Sequence, residues 1–99
     1  MTLRLRITVR AADEIERASL WWQENRPAAP YAVHEDLERT LRILAVQPGI
    51  GQRVANARLN GVRRIHIDRV HHHVYYRVQP GELIVLRFWP SQRLKQPSV

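Results

Sequence analysis

The chain has 99 residues, of which 44% are hydrophobic and 25% charged, which suits one small globular domain over residues 1–99 and excludes a wholly disordered chain. It contains no cysteine, which excludes a disulfide scaffold, a thiolate zinc site and a cysteine nucleophile. Sixteen basic and nine acidic residues give a formal net charge of +7, and no apolar run is long enough to span a membrane.

The positive charge is concentrated in the second part of the chain. Residues 39–99 carry eleven basic side chains and only two acidic ones, Asp68 and Glu82, whereas acids outnumber bases before residue 39. A basic region of this kind favours a polyanionic or acidic partner, either nucleic acid or an acidic protein segment. The alternative is an arginine-rich surface that meets only solvent. Residues 1–10 lack the apolar stretch of a signal peptide, so we expect a cytoplasmic protein with no membrane partner.

The first half of the chain predicts one strand and two helices. Residues 3–9 alternate apolar and polar side chains, which is typical of a half-buried strand. Helical spacing over residues 11–25 predicts a first helix that ends before Pro27. A second apolar stripe predicts a helix from Pro30 to about Gln47. The short break between the helices predicts an antiparallel helical hairpin.

The second half predicts a loop, three strands and a tail. Residues 48–60 are rich in glycine, asparagine and proline and are predicted to be a loop. Alternation predicts strands at 62–67, 72–78 and 83–89, followed by a polar tail at 91–99. Short turns between the three strands favour antiparallel pairing. The predicted fold is therefore α+β with the order β-α-α-β-β-β: an antiparallel sheet with the helical hairpin on one face and the first strand at its edge or centre.

The sheet face that the helices leave free is predicted to be basic and aromatic. Strand alternation places on it Arg64, His66, His73, Tyr75, Arg77, Arg87 and Trp89. Burial of so many charges without partners would be costly, so we expect this face to meet solvent or a partner. Arginine interleaved with aromatic rings is typical of a surface that binds phosphates and stacks bases, and it equally suits an acidic peptide.

Several segments occur in an order and spacing that are typical of one superfamily. They are Ala12–Ile15, Trp21–Pro27, Pro48–Gly51, Gly61–Ile65, Val74–Val78 and Val85–Arg93. Together they resemble the RelE/ParE superfamily of bacterial type II toxins over nearly the whole chain. The Trp-Trp-Gln-Glu-Asn-Arg-Pro run and the Val-Tyr-Tyr-Arg-Val strand look more like the ParE branch, whose members are often described as plasmid-stabilisation proteins.

The resemblance implies a small basic toxin in a hetero-oligomer with a cognate acidic antitoxin that wraps and neutralises it. The first hypothesis is a ParE-like toxin that poisons DNA gyrase by binding. The second is a RelE-like endoribonuclease, an mRNA interferase that cuts mRNA on the ribosome. The third is a relative that forms complexes without toxicity. None of these hypotheses calls for a cofactor or a metal.

The resemblance also implies candidate residues for nuclease chemistry. By strand position, Arg64 and His66 match the two lysines of the RelE-type nuclease, His73 matches its arginine on the next strand, and Arg93 keeps the arginine after the last strand. The nuclease's tyrosine near the C-terminus has no counterpart before Val99. Arginine could stabilise the developing negative charge, and histidine could transfer protons near neutral pH.

Partner contact is expected from an overlapping set of side chains. This set is Arg64, Tyr75, Arg77, Arg87, Trp89 and Arg93. The run His71–His73 also suggests a metal site, but adjacent strand residues point to opposite faces and Asp68 is the only nearby acid. We therefore expect no metal there.

Overall fold

A computed structural model describes residues 2–99; Met1 lies outside the described residues. The elements are β1 (Arg4–Ile7), α1 (Val9–Asn25), α2 (Ala32–Val46), a 3₁₀ turn (Pro48–Ile50), β2 (Gln52–Arg53), β3 (Arg63–Ile67), β4 (His72–Gln79) and β5 (Glu82–Pro90). The first strand is shorter than the predicted 3–9 because Thr8 caps α1. Its hydroxyl accepts a hydrogen bond from the Ala11 backbone N–H at 3.1 Å, so Val9 is already helical.

The five strands form one mixed sheet in the order β1-β5-β4-β3-β2. Strands β3, β4 and β5 pair antiparallel, as their short connections predicted. Strand β1 lies at one edge and pairs parallel with β5, so the sheet is not antiparallel throughout. Strand β2 forms the other edge inside the segment predicted to be a loop, because two residues are too short to show periodicity.

The main core lies between the helical hairpin and one face of the sheet. The helices contribute Ile15, Leu37, Leu41 and Leu44, each at most 8% exposed. The sheet contributes Val74, Tyr76, Leu83, Val85 and Phe88. The α+β fold with the helices on one face is therefore confirmed.

Strand β1 is more exposed than its alternating sequence predicted. All four of its residues are exposed, with Leu5 at 50% and Ile7 at 37%. The prediction of a half-buried strand was wrong because β1 is an edge strand that the helices only partly cover. Its outer edge is paired with no strand in residues 2–99. Apolar side chains and unpaired backbone groups therefore lie together on one side of the molecule.

A β-bulge in β5 changes which side chains reach the core. Tyr75 pairs with Arg87, but Tyr76 pairs with Val85, so Leu86 is an extra residue. Val85 and Phe88 therefore both lie in the core although strict alternation would place them on opposite faces. Within residues 2–99, neither helix is long and apolar enough to cross a membrane.

Candidate functional site

The C-terminal segment folds back over the sheet face that lies opposite the helices. This face, lined along β4 by His73, Tyr75 and Arg77, is called the tail face below. The Trp89 indole N–H donates to the Lys95 carbonyl at 2.8 Å, and the Val99 oxygen accepts from the backbone N–H groups of residues 58 and 59 at 3.0 Å. The predicted polar tail is thus part of the folded structure.

This segment builds a second, smaller core on the tail face. Val62, Tyr75 and Val99 are buried together, at 3%, 1% and 7% exposure, and Leu86 and Trp89 pack against them. The prediction that this sheet face is uncovered was therefore wrong for its middle part. Burial of apolar surface on both sides of the sheet explains why the chain covers it.

Two of the residues predicted to contact a partner, Tyr75 and Arg87, already make contacts within the chain. Tyr75 lies beneath the C-terminal segment, and Arg87 is only 9% exposed. The Arg87 Nη2 donates to Glu14 Oε2 of α1 at 2.7 Å, and the Phe88 backbone N–H donates to Glu14 Oε1 at 2.9 Å. The expectation that these two side chains are exposed on an open face was wrong, because one is covered and the other is neutralised within the chain; their contact with a partner stays a prediction.

Three of the four nuclease candidates meet at the exposed end of the tail face. The rings of His66 and His73 lie 5.0 Å apart across β3 and β4. Arg64 lies next to them and donates from Nη1 to the Tyr75 hydroxyl at 3.1 Å. The His66 Nδ1 lies 2.6 Å from Asp68 Oδ1, so a carboxylate orients one ring. Strand alternation predicted this grouping correctly.

Arg93 and Arg77 lie away from the imidazole pair. The Arg93 guanidinium packs over the Trp89 ring, 4.5 Å from its centroid. Trp89 is in register with His73, so Arg93 lies against the cross-strand neighbour of the imidazole pair. Arg77 is half-buried and in register with Ile84, nearer the turn between β4 and β5. The predicted partner set is thus divided among separate places on the surface.

The surroundings of His73 disfavour its charged form and lower its pKa. Burial lowers the pKa of its imidazole, and the positive charge of Arg64 and the neighbouring His66 and His72 lower it further. A neutral imidazole can accept a proton, and Arg64 beside it can offset a developing negative charge. The cluster therefore contains two of the elements that acid–base chemistry on a phosphodiester needs.

Acid pH is expected to destabilise the protein through His72 and His73. Burial lowers the pKa of both imidazoles below the ordinary value of 6.5, so the stability they contribute is present above that value and is lost as the pH falls through the lowered pKa values. Thermal unfolding between about pH 7 and pH 5 should show a falling Tm. The double variant His72→Gln/His73→Gln should lose part of this slope; an unchanged slope would refute the assignment.

The three histidines of the run His71–His73 lie in different surroundings. His71 has a left-handed backbone, with φ of 53°, and is exposed in the turn before β4. The His72 ring stacks on Phe88 with centroids 4.4 Å apart, and His73 lies on the tail face. Among residues 2–99, no three His, Asp or Glu side chains are grouped so that they could hold a metal ion.

Sequence reasoning missed two surfaces. One is an apolar groove of about 530 Å³ beside the edge strand β1, lined by Ile7, Ile15, Leu20 and Leu37 among others. The other is a basic and aromatic cleft between α1 and the end of β5. Both depend on how the helices sit against the sheet, which periodicity within one element does not reveal.

Comparison with known proteins gives one family and one fold. The sequence profile of the ParE toxin of type II toxin-antitoxin system, parDE, matches residues 5–94. A chain of the chromosomal ParDE TA system from P. aeruginosa has a similar structure, with a TM-score of 0.71 and 19% identity over 92% of this chain and 98% of that one. A chain of the YoeB dimer from Staphylococcus aureus has a TM-score of 0.60 and 15% identity over 90% and 97%. No curated protein matches by sequence.

Proposed function

Because the chain belongs to the ParE family of toxins of type II toxin-antitoxin systems, within the RelE/ParE superfamily, we propose that it inhibits bacterial growth by poisoning DNA gyrase in the cytoplasm. A cognate antitoxin neutralises it. The observation that carries this proposal is the family match, which extends over residues 5–94. The resemblance of the sequence to the ParE rather than the RelE branch points in the same direction.

The arrangement of the candidate nuclease residues supports binding over cleavage. Arg64 is engaged with the hydroxyl of the buried Tyr75, and Arg93 packs on Trp89 instead of joining the imidazole pair. In-line cleavage of RNA needs a base, an acid and a positive group held around one phosphate. Because Tyr75 and Trp89 already engage these two guanidinium groups, we infer that the chain is better suited to hold a partner than to cut RNA.

The edge strand β1 supplies the surface for the antitoxin. Leu5 and Ile7 are exposed, and the outer edge of β1 can pair with an added strand from a partner. Arg4 is also exposed on this strand, which favours an acidic segment, whereas the Arg6 guanidinium is ion-paired with Glu82 at 3.5 Å. We place the antitoxin segment along β1, with apolar side chains in the groove beside Ile15 and Leu20.

Purified protein tests the gyrase proposal. Added to gyrase, ATP and relaxed plasmid, it is expected to abolish supercoiling and to leave covalent gyrase–DNA complexes that appear as linear plasmid after detergent and protease treatment. A heat-unfolded sample of the same protein is the control and should leave supercoiling unchanged. Normal supercoiling in the presence of an excess of folded protein would rule out gyrase as the target.

The alternative is an mRNA interferase, and one observation favours it. The rings of His66 and His73 lie side by side near Arg64, and burial lowers the pKa of His73, which suits proton transfer to and from an RNA phosphate. If this chemistry operates, the protein cuts mRNA in a cell-free translation reaction, and His66→Gln/His73→Gln slows cleavage by about 10²–10⁴-fold. Intact mRNA in that reaction would exclude it. A chain that affects neither gyrase nor mRNA would be the complex-forming relative.

A further inference from the structure

A cleft of about 840 Å³ lies between the second half of α1 and the end of β5. Three tryptophans and four arginines line it. They are Trp21, Trp22, Trp89, Arg17, Arg26, Arg87 and Arg93. The volume falls in the range of about 300–1,000 Å³ that is typical of small-molecule sites.

The cleft carries an uncompensated positive charge. Its one acidic residue, Glu14, is bound by Arg87, so that pair contributes no net charge. Arg17, Arg26 and Arg93 form no ion pair with any carboxylate in residues 2–99. Three guanidinium groups around one cleft would repel each other less if an anion lay between them.

Two of these guanidinium groups, those of Arg26 and Arg93, are already stacked on indole rings. Arg26 lies 5.2 Å from the Trp21 ring centroid and 5.9 Å from that of Trp22, and these two rings pack edge to face. Arg93 lies 4.5 Å from the Trp89 ring. Trp21 is 49% exposed, so stacking area remains available to a further planar group. Bases stack on both aromatic rings and guanidinium planes.

An added peptide strand is less suited to this cleft. Along the edge of β5 that faces it, the Phe88 N–H is bound by Glu14 and the Leu86 carbonyl accepts from the Thr8 hydroxyl. Two of the backbone groups that would pair with a peptide are thus already used. An acidic peptide would also leave the exposed indole without a planar partner.

We propose that this cleft binds a nucleotide unit. Arg17, Arg26 and Arg93 hold its phosphate, and its base stacks on Trp21. A free nucleotide and a single-stranded nucleic acid both present this chemistry. The binding does not depend on gyrase being the target of the protein.

The test is binding of a short fluorescent oligothymidine strand, with AMP and a polyglutamate peptide as competitors. Trp21→Ala, Arg26→Gln and Arg93→Gln should each weaken binding by about tenfold. Arg42→Gln removes the same charge from an exposed site on α2 outside the cleft and should change binding less than about twofold. Circular dichroism should show that all four variants keep the fold.

The competitors identify the source of the nucleotide and expose a wrong assignment. Displacement of the strand by AMP assigns the cleft to free nucleotides, and displacement by unlabelled strand alone assigns it to single-stranded nucleic acid. The proposal is overturned if neither the strand nor AMP, followed directly by tryptophan fluorescence, binds, if Arg42→Gln weakens binding as much as Arg26→Gln, or if polyglutamate displaces the strand as well as unlabelled strand does.

Discussion

Replacement of Glu14 by alanine is expected to lower the free energy of unfolding by about 3–5 kcal/mol, the largest effect of any single substitution considered for this protein. The Glu14 and Arg87 side chains are each 11% exposed. The carboxylate accepts from Arg87 Nε and Nη2 and from the Phe88 backbone N–H. Without it, the Arg87 guanidinium keeps only the Ser98 carbonyl at 3.1 Å and the Phe88 N–H loses its acceptor, which is costly where water has little access.

Two matched variants make this expectation sharp. Glu14→Gln keeps one carbonyl oxygen and should show an intermediate loss, whereas Glu16→Ala, at an exposed position on the same helix, should change stability by less than about 0.5 kcal/mol. Urea unfolding followed by circular dichroism gives all three values. A loss below about 1 kcal/mol for Glu14→Ala would show that the pair does not hold α1 to the sheet.

Substitution of Gly51 by alanine is expected to cost about 2–3 kcal/mol. A Cβ atom there would lie 2.8 Å from Cε1 and 2.9 Å from Cζ of Tyr76, and closer still to its hydroxyl. Tyr76 is fully buried, and its hydroxyl donates to the Pro48 carbonyl at 2.7 Å and accepts from the Gly51 N–H at 3.0 Å. The ring cannot move away without breaking both bonds and the core packing around it.

Gly49 provides the control for this effect. A Cβ at position 49 meets no atom within 4 Å, so Gly49→Ala should leave stability within about 0.5 kcal/mol of the parent. In a Tyr76→Phe background, the cost of Gly51→Ala should shrink, because the closest atom is gone. Equal losses at positions 49 and 51 would show that the loop moves freely and that Tyr76 does not fix it.

The strands and helices with regular periodicity were predictable from the sequence. The segment that covers the tail face of the sheet was not. Alternation in β3 and β4 correctly separated Val74 and Tyr76 from His73 and Tyr75. It gave no information on what lies over the second face, because the covering segment, which ends at Val99, has no period. Tyr75 was therefore expected to be exposed and is buried.

Long-range pairs and local irregularities account for the remaining differences. Glu14 and Arg87 are far apart in the sequence, and the helical pattern around Glu14 is equally consistent with a solvated carboxylate. The bulge at Leu86 shifts which residues of β5 face the core. The sequence does not show this shift, because hydrophobic residues occur on both faces of the strand. Each of these features is decided by tertiary packing.

The candidate sites also differ in whether local periodicity or tertiary packing determines them. The grouping of His66 and His73 follows from two antiparallel strands with a short turn, so the sequence alone predicted it. The cleft around Trp21 and Arg26 requires α1 to lie against the end of β5, so helical spacing alone did not predict it. The exposed apolar edge of β1 depends likewise on its place in the sheet.

The proposal that the protein poisons DNA gyrase is tested most directly by the number of covalent gyrase–DNA complexes in cells shortly after the protein is expressed. We predict that these complexes accumulate before growth stops, and that they accumulate equally with His66→Gln/His73→Gln, since the imidazole pair is not needed to hold gyrase. Growth arrest without covalent gyrase–DNA complexes but with cut mRNA would contradict the gyrase proposal and favour the interferase.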